Sequence, residues 1–167
     1  NDVQVVAMNA TGPIETNAHL LKYDSVHGRF PGSVKVEGNT LDLGRGPIRV
    51  FSTYNPQELD WDGVDVVLEC TGQFRAHAQA ARHLEAGASR VIIGAAPFDS
   101  ADAIIVHGVN DADLRPEHRV ISAASCTSHA LCPLLQAFEQ MTGIESALMT
   151  EIPAHTSEQV LLDLGHR

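Results

Sequence analysis

Positive charge is scarce in this chain. Eleven lysines and arginines stand against 21 aspartates and glutamates, a formal net charge of −10 over 167 residues. That balance leaves no electrostatic footprint for nucleic acid or for an anionic membrane surface, although a few local donors suffice for a small phosphorylated ligand. Cysteine is limited to three residues with no Cys-x-x-Cys pair, which excludes both a disulfide framework and a zinc site of the usual spacing and points to a reducing cytoplasm. No apolar run is long enough to span a membrane, and no basic-plus-apolar leader is present. A glycine-rich turn between a strand and a helix, the phosphate cradle of dinucleotide sites, is also missing. The nearest approach, Gly44-Arg45-Gly46, runs into Pro47 and a strand, so it reads as a hairpin turn. There is no internal repeat, low-complexity tract or linker.

What is present alternates strands with helices. The length suits one domain, or one and a piece, and allows about two-thirds of the unfolded surface to be buried. Strands are expected over 3–8, 34–36, 40–43, 48–52, 64–69, 90–94, 103–107, 119–122 and 146–152, with the run at 64–69 mostly buried. Helices are expected over 17–23, over 76–86 with Gly87 as C-cap, over 125–141 ending at Gly143, and in a short piece from Ser157 to about Leu164. Such βα alternation predicts an α/β fold with a parallel sheet covered by helices.

The segment Ala124-Ser125-Cys126-Thr127-Ser128-His129 carries the chemistry. It follows the strand-like run Arg119-Val120-Ile121-Ser122 and precedes an apolar helical pattern at Leu131, Leu134, Leu135, Phe138 and Met141. Cys126 therefore falls at a helix start, where unpaired N–H groups and the positive dipole end favour a thiolate, a nucleophile for an electrophilic carbon. The alternative is a small packed thiol with no chemistry.

The hexapeptide resembles ASCTTN, the active-site signature of phosphorylating glyceraldehyde-3-phosphate dehydrogenases and the related erythrose-4-phosphate dehydrogenases. The likeness continues elsewhere. Thr16 to Gly32, TNAHLLKYDSVHGRFPG, resembles the family's first-domain segment; Glu69 to Phe74 resembles its ECTGxF turn; Gly108-Val109-Asn110 matches its GVN; Met149-Thr150 begins its MTTVHAxT strand. The resemblance covers essentially the whole chain. It implies an incomplete Rossmann-type doubly wound sheet as a partial NAD(P)-binding domain over 1–124, and the start of an α+β catalytic domain over 125–167. By the family pattern a first strand, glycine-rich turn and first helix would precede residue 1. An arginine-rich loop, the rest of an antiparallel sheet and a C-terminal helix would follow residue 167.

The same resemblance assigns roles. Cys126 would attack an aldehyde to give a thiohemiacetal, a hydride would pass to NAD or NADP, and inorganic phosphate would split the thioester. Asn9, Thr71, Gly72 and Phe74 fall at cofactor-binding positions, and Ser125, Thr127 and Thr156 at phosphate-pocket positions. Each has a plainer reading: Thr71-Gly72 an ordinary turn with a core Phe74, Ser125 or Thr127 a helix cap. Two departures stand out. Ala10 replaces the family's acid beside Asn9, which leaves either NADP or relaxed specificity or a simple loss of cofactor affinity. Pro153 replaces the family's acid–base histidine, a loss that typically costs about 10²–10⁴-fold in rate. His155, two residues along, and His129, on the helical face of Cys126, are the candidates to replace it, or else have no role. His19, His27, His77, His83, His107, His118 and His166 show no metal spacing and read as surface or helix-face residues.

The functional reading is an oxidoreductase acting on a small phosphorylated aldehyde with inorganic phosphate, no metal, and a homotetrameric cytoplasmic parent. A non-catalytic binding relative and a cofactor-independent cysteine acyl-phosphate hydrolase are the alternatives.

Overall fold

The computed structural model describes residues 3–154. In chain order the elements are β1 (Ala7–Asn9), α1 (Ile14–Lys22), β2 (Tyr23–Asp24), β3 (Gly28–Arg29), β4 (Lys35–Glu37), β5 (Thr40–Asp42), β6 (Pro47–Phe51), β7 (Val66–Glu69), α2 (His77–Ala80), α3 (Arg82–Glu85), β8 (Arg90–Ile93), β9 (Ala103–Ile104), β10 (Val120–Ser122) and α4 (Cys126–Thr142). The fold is α/β with parallel strands, a partial Rossmann-type domain, as expected.

The strands form two four-stranded sheets and one two-stranded ribbon. One sheet runs β1-β6-β5-β4, with β1 parallel to β6 and the β4–β5–β6 meander antiparallel; the other runs β7-β8-β10-β9, all parallel; β2 pairs with β3. β1 and β7 thus each end a sheet, with one edge unpaired. The Gly44–Gly46 segment is the β5–β6 hairpin turn, and the Gly44 amide is held by Asp42 Oδ1 at 2.7 Å.

A single apolar cluster lies behind both sheets. Leu59, Trp61, Val67, Ala80, Ala88, Val91, Ile93 and Val120 are buried in it, and Ala7 of β1 and Phe51 of β6 pack against it. The α2–α3 segment lies over β8 as one helical stretch broken at Ala81, where a single continuous helix is expected from the pattern. Gly87 ends it with φ +109, and a Cβ there would meet Asp62 N at 3.1 Å and the Trp61 carbonyl carbon at 3.2 Å. Both the left-handed backbone and this close approach require glycine.

Other elements also differ from expectation: α1 starts at Ile14 rather than at 17, β9 stops at Ile104 rather than at 107, and the β2–β3 ribbon lies where no strand was expected. The first strand is Ala7–Asn9 rather than 3–8, because its register on β6 (Ala7 opposite Arg49) runs out at Pro47, which has no N–H to offer. β7 alternates: Val67 and Glu69 are buried, whereas Val66 and Leu68 are 40% and 66% exposed. A parallel strand is buried on both faces only where elements cover both, and nothing among the described residues covers this one. The expected strand over 146–152 does not form, since no described strand lies beside it to complete a ladder. The short helix expected from Ser157 lies outside the described residues.

Asp102, just before β9, ties this half of the sheet together. Its Oδ2 accepts from the Arg119 and Val120 amides at 2.8 and 2.9 Å, and its Oδ1 lies 3.0 Å from His77 Nε2. Partial burial pushes its carboxyl up, but the Val120, Arg119 and His77 hydrogen bonds outweigh that and bring the pKa from 3.8 to about 2. A carboxyl held lower in the folded state contributes fully above its unfolded pKa and loses that contribution as pH falls through the folded one. Asp102→Asn should therefore cost about 1–2 kcal/mol near neutrality, a difference that shrinks toward zero between about pH 4 and pH 2. Denaturant unfolding of both proteins across that range checks this; a difference independent of pH would contradict it.

Candidate active site

The candidate site lies along the carboxyl ends of the parallel strands, the edge at which ligands bind in open α/β sheets. Two turns define it. One follows β7 and carries Cys70, Thr71, Gly72 and Phe74; the other follows β10 and carries Ala123 to Cys126. β8 lies between the two strands, so the turns start two strand spacings apart, about 10 Å.

The turn after β10 is an elbow. The buried Ala124 has φ +56, the only positive value for a non-glycine among the described residues. This left-handed residue reverses the chain from strand into helix at a steric cost of about 1–2 kcal/mol. Ser122, fully buried, holds the bend: its hydroxyl donates to the Ala95 carbonyl at 2.7 Å and accepts from the Ala124 amide at 3.0 Å. Its place at the end of an apolar strand, directly before the ASCTSH segment, is the only sequence signal for this role.

Ser125 then caps α4. Its Oγ accepts from the Ser128 amide at 3.0 Å and lies 2.8 Å from Ser128 Oγ. Cys126 is the first residue of α4 and is exposed. The expected placement at a helix start is therefore met, and the packed-thiol alternative is not. Thr127 Oγ1 donates a short hydrogen bond to Glu151 Oε1. His129 Nδ1 lies 3.1 Å from the Ser125 carbonyl, an acceptor, so Nδ1 carries the proton and the lone pair of the neutral ring is on Nε2. His155 and Thr156 lie outside the described residues.

The turn after β7 is tied to the core. Glu69 Oε1 accepts from the Thr71 amide at 2.7 Å and, in a short bond, from the Thr71 hydroxyl, which in turn accepts from the Gln73 amide at 3.2 Å. Glu69 Oε2 lies 3.0 Å from His83 Nε2, and His83 Nδ1 accepts from Trp61 Nε1 at 3.1 Å. Burial pushes the Glu69 carboxyl up, but the hydrogen bonds from His83 and from the Thr71 hydroxyl and amide outweigh it, so its pKa lies below the usual carboxylate value. Gly72 provides φ +73 at the tip. Phe74 meets the His83 ring edge-to-face at 6.4 Å. His83 is thus a helix-face residue, as its sequence setting suggested, but it is on the buried face of α3 and not on the surface, at 4% exposed. A charged residue closing the apolar run of β7 was the available signal that a buried partner was needed.

Asn9 sits at the carboxyl end of β1 in the other sheet. Its side chain clamps the chain leaving β6: Nδ2 donates to the Thr53 carbonyl at 2.9 Å and Oδ1 accepts from the Thr53 amide at 3.0 Å. Of the sequence-assigned residues, Thr71, Gly72, Ser125, Cys126, Thr127 and His129 fall on one sheet edge, Phe74 packs beneath it, and Asn9 stands apart on the β1–β6 side. Among the described residues no cluster of His, Cys, Asp and Glu is placed to hold a metal ion, and no helix is long and apolar enough to cross a membrane.

Residues 1–77 match the model of the NAD binding domain of glyceraldehyde 3-phosphate dehydrogenase. Over 99% of its length the chain is 52% identical to glyceraldehyde-3-phosphate dehydrogenase of Xanthobacter flavus, covering 50% of that protein. The chain belongs to the glyceraldehyde-3-phosphate dehydrogenase family. It is also 48% identical to the Cereibacter sphaeroides protein and 44% identical to that of Thermotoga maritima, in each case over 99% of the chain and 50% of the relative. It therefore spans about half the length of the curated relatives it matches. At the exposed Thr71–Gly72 turn the Thr71 amide and hydroxyl proton are given to Glu69, but the hydroxyl oxygen keeps acceptor capacity, which suits the sugar end of the family's dinucleotide cofactor. The pyrophosphate end finds no glycine-rich strand–turn–helix within residues 3–154.

Proposed function

We propose that this chain carries the thiol-bearing and nicotinamide-facing parts of an oxidoreductase that oxidises a phosphorylated aldehyde, glyceraldehyde 3-phosphate or erythrose 4-phosphate, with NAD or NADP and inorganic phosphate. The observation that carries the reading is the exposed Cys126 at the first position of α4, on the sheet edge that also bears the Thr71–Gly72 turn. In this reading 1–124 belongs to the NAD(P)-binding domain and 125–167 opens the catalytic domain.

The Cys126 thiolate adds to the aldehyde carbon and forms a thiohemiacetal. The helix-start amides and dipole favour the negative charge on sulfur and on the developing oxyanion. A bound nicotinamide supplies the acceptor for the hydride whose loss leaves a thioester on Cys126. Inorganic phosphate attacks that thioester, releases the acyl phosphate and returns the thiolate. Ser125, Thr127 and Thr156 are the hydroxyls assigned to the phosphate. His129, through Nε2, and His155 are the candidates to move the proton in place of Pro153. Asn9, Thr71, Gly72 and Phe74 serve the cofactor. A reducing cytoplasm and a homotetrameric whole protein complete the proposal.

In the folded chain iodoacetamide should modify Cys126 at least about tenfold faster than Cys70 or Cys132, because the amides and positive dipole end at the start of α4 stabilise negative charge developing on its sulfur, whereas Cys70 begins no helix and Cys132 is less exposed. Peptide mapping reads this directly, and equal rates at all three would overturn the nucleophile assignment. The activity itself is tested by phosphate-dependent reduction of NAD or NADP with either aldehyde, abolished in Cys126→Ser. Hydrolysis of acetyl phosphate without nicotinamide would instead mark a cofactor-independent hydrolase. Inertness of a folded chain in both assays would mark a non-catalytic relative, in keeping with Pro153 and with the Glu151 carboxylate bonded to Thr127.

A further inference from the structure

The chain of hydrogen bonds from Trp61 to Thr71 runs in a fixed direction. Indole N–H is only a donor, so His83 Nδ1 must accept, which leaves the proton of the neutral ring on Nε2. Nε2–H then donates to Glu69, whose ionised carboxylate is only an acceptor. From the other side the Thr71 amide and hydroxyl both donate to the same carboxylate. Two donor sequences converge on Glu69, and no member can be turned round without setting two donors or two acceptors face to face.

Trp61, His83 and Glu69 are each 4–5% exposed. A polar relay this deep costs desolvation that apolar side chains would avoid, so filling the core does not account for it. What it adds is orientation, carried from the apolar cluster that holds Trp61 to the exposed turn at the end of β7. The Thr71 hydroxyl proton is committed to Glu69, and one oxygen lone pair takes the Gln73 N–H. One lone pair remains.

We propose that His83 and Glu69 are positioning residues that fix the Thr71 hydroxyl as an acceptor-only group, so that the turn takes a hydrogen-bond donor from its ligand, a sugar hydroxyl, and not a phosphate oxygen. The proposal rests on the reading of this turn as part of the dinucleotide groove.

Two internal reporters read the relay without any activity assay. Trp61 is the only tryptophan of the chain, so its ultraviolet resonance Raman spectrum reports one indole N–H hydrogen bond. The amide of residue 71, which donates to Glu69, reports the opening of the turn through its hydrogen-exchange protection. In Glu69→Gln one amide cannot accept from both sides. Either the indole bond weakens or the protection of the residue-71 amide falls, by about tenfold for the loss of one hydrogen bond. Thr71→Ser keeps the hydroxyl and should keep the wild-type protection and the saturation transfer from protein to the sugar protons of NADH. Thr71→Val should lose both. Wild-type reporters in a folded Glu69→Gln chain, or a Thr71→Val chain that behaves as Thr71→Ser, would overturn the proposal; should Glu69→Gln fail to fold, the Thr71 pair still decides it. If NADH shows no saturation transfer with the wild-type chain while the amide protection still separates Thr71→Val from Thr71→Ser, the relay stands and the groove reading falls. Loss of the NADH transfer on titration with sulfate, which has no proton to donate, would overturn the acceptor-only assignment.

Discussion

Expressed by itself, the 167-residue chain should unfold with less than about 5 kcal/mol, the lower end for ordinary domains, and should self-associate. The reason lies in two of the sheet edges left open among the described residues. β1 and β7 each present an unpaired row of N–H and C=O groups, the template on which strands of other molecules add. The face of β7 that carries Val66 and Leu68 is uncovered, and on α4 Leu134, Phe138 and Met141 are 53%, 50% and 77% exposed. A large apolar side chain left in water forgoes about 1.5–3 kcal/mol of burial, so a handful of them matches the whole stability of a typical domain. In the doubly wound order the strand that would separate the family's second and fourth strands is the first. The gap between the two sheets falls where the resemblance expected that strand to be missing. Denaturant titration with size-exclusion chromatography tests this. A monodisperse species with a single sharp transition above about 5 kcal/mol would show the chain to be self-sufficient.

Dinucleotide binding by the same chain should be weak, with a Kd above about 100 μM, and NAD and NADP should differ by less than about tenfold. At the end of β1 the Asn9 side chain is spent at both ends on the Thr53 backbone, and the next residue is Ala10, whose amide is bonded to the Phe51 carbonyl. Position 10 has no carboxylate to hold ribose hydroxyls or to repel a 2′-phosphate, and the Glu58 carboxylate, which lies against Thr53, is spent on the Thr53 hydroxyl and the Asn55 side-chain amide. Charge-assisted hydrogen bonds of that kind contribute about 1.5–3 kcal/mol each, or roughly ten- to a hundredfold in affinity. Ala10→Asp should therefore turn the preference toward NAD by about tenfold or more. Isothermal titration calorimetry of both proteins with both cofactors decides the matter. Micromolar NAD binding with firm rejection of NADP by the unaltered chain would contradict the argument.

Much of this architecture is legible in the sequence, and the failures have a common physical cause. The βα alternation, the hairpin at Gly44–Gly46, the helix cap at Ser125 and the place of Cys126 at the start of α4 all follow from local chemistry: period, turn residues and capping. The extra length assigned to β1, the two-sided burial assigned to β7 and the strand over 146–152 depend on a neighbour, which a local pattern does not reveal. His83 was missed for a related reason. On a helix face of alternating small and polar residues a histidine looks solvated; only the facing Glu69 and Trp61, contributed by β7 and by the loop before it, make it an interior residue. Ser122 and Ala124 show the same limit, because their roles come from a backbone bend and not from a side-chain pattern.

The elbow at Ala124 narrows what evolution can write there. Its left-handed backbone disfavours branched and bulky side chains, while the closed space around it, 5% exposed, rejects the asparagine and aspartate that otherwise tolerate such a bend. Alanine and glycine remain, an alphabet of two letters directly upstream of the nucleophile segment. The variability of this chain must be carried by its surfaces, because the hinge on which the thiol is mounted has almost no spellings left.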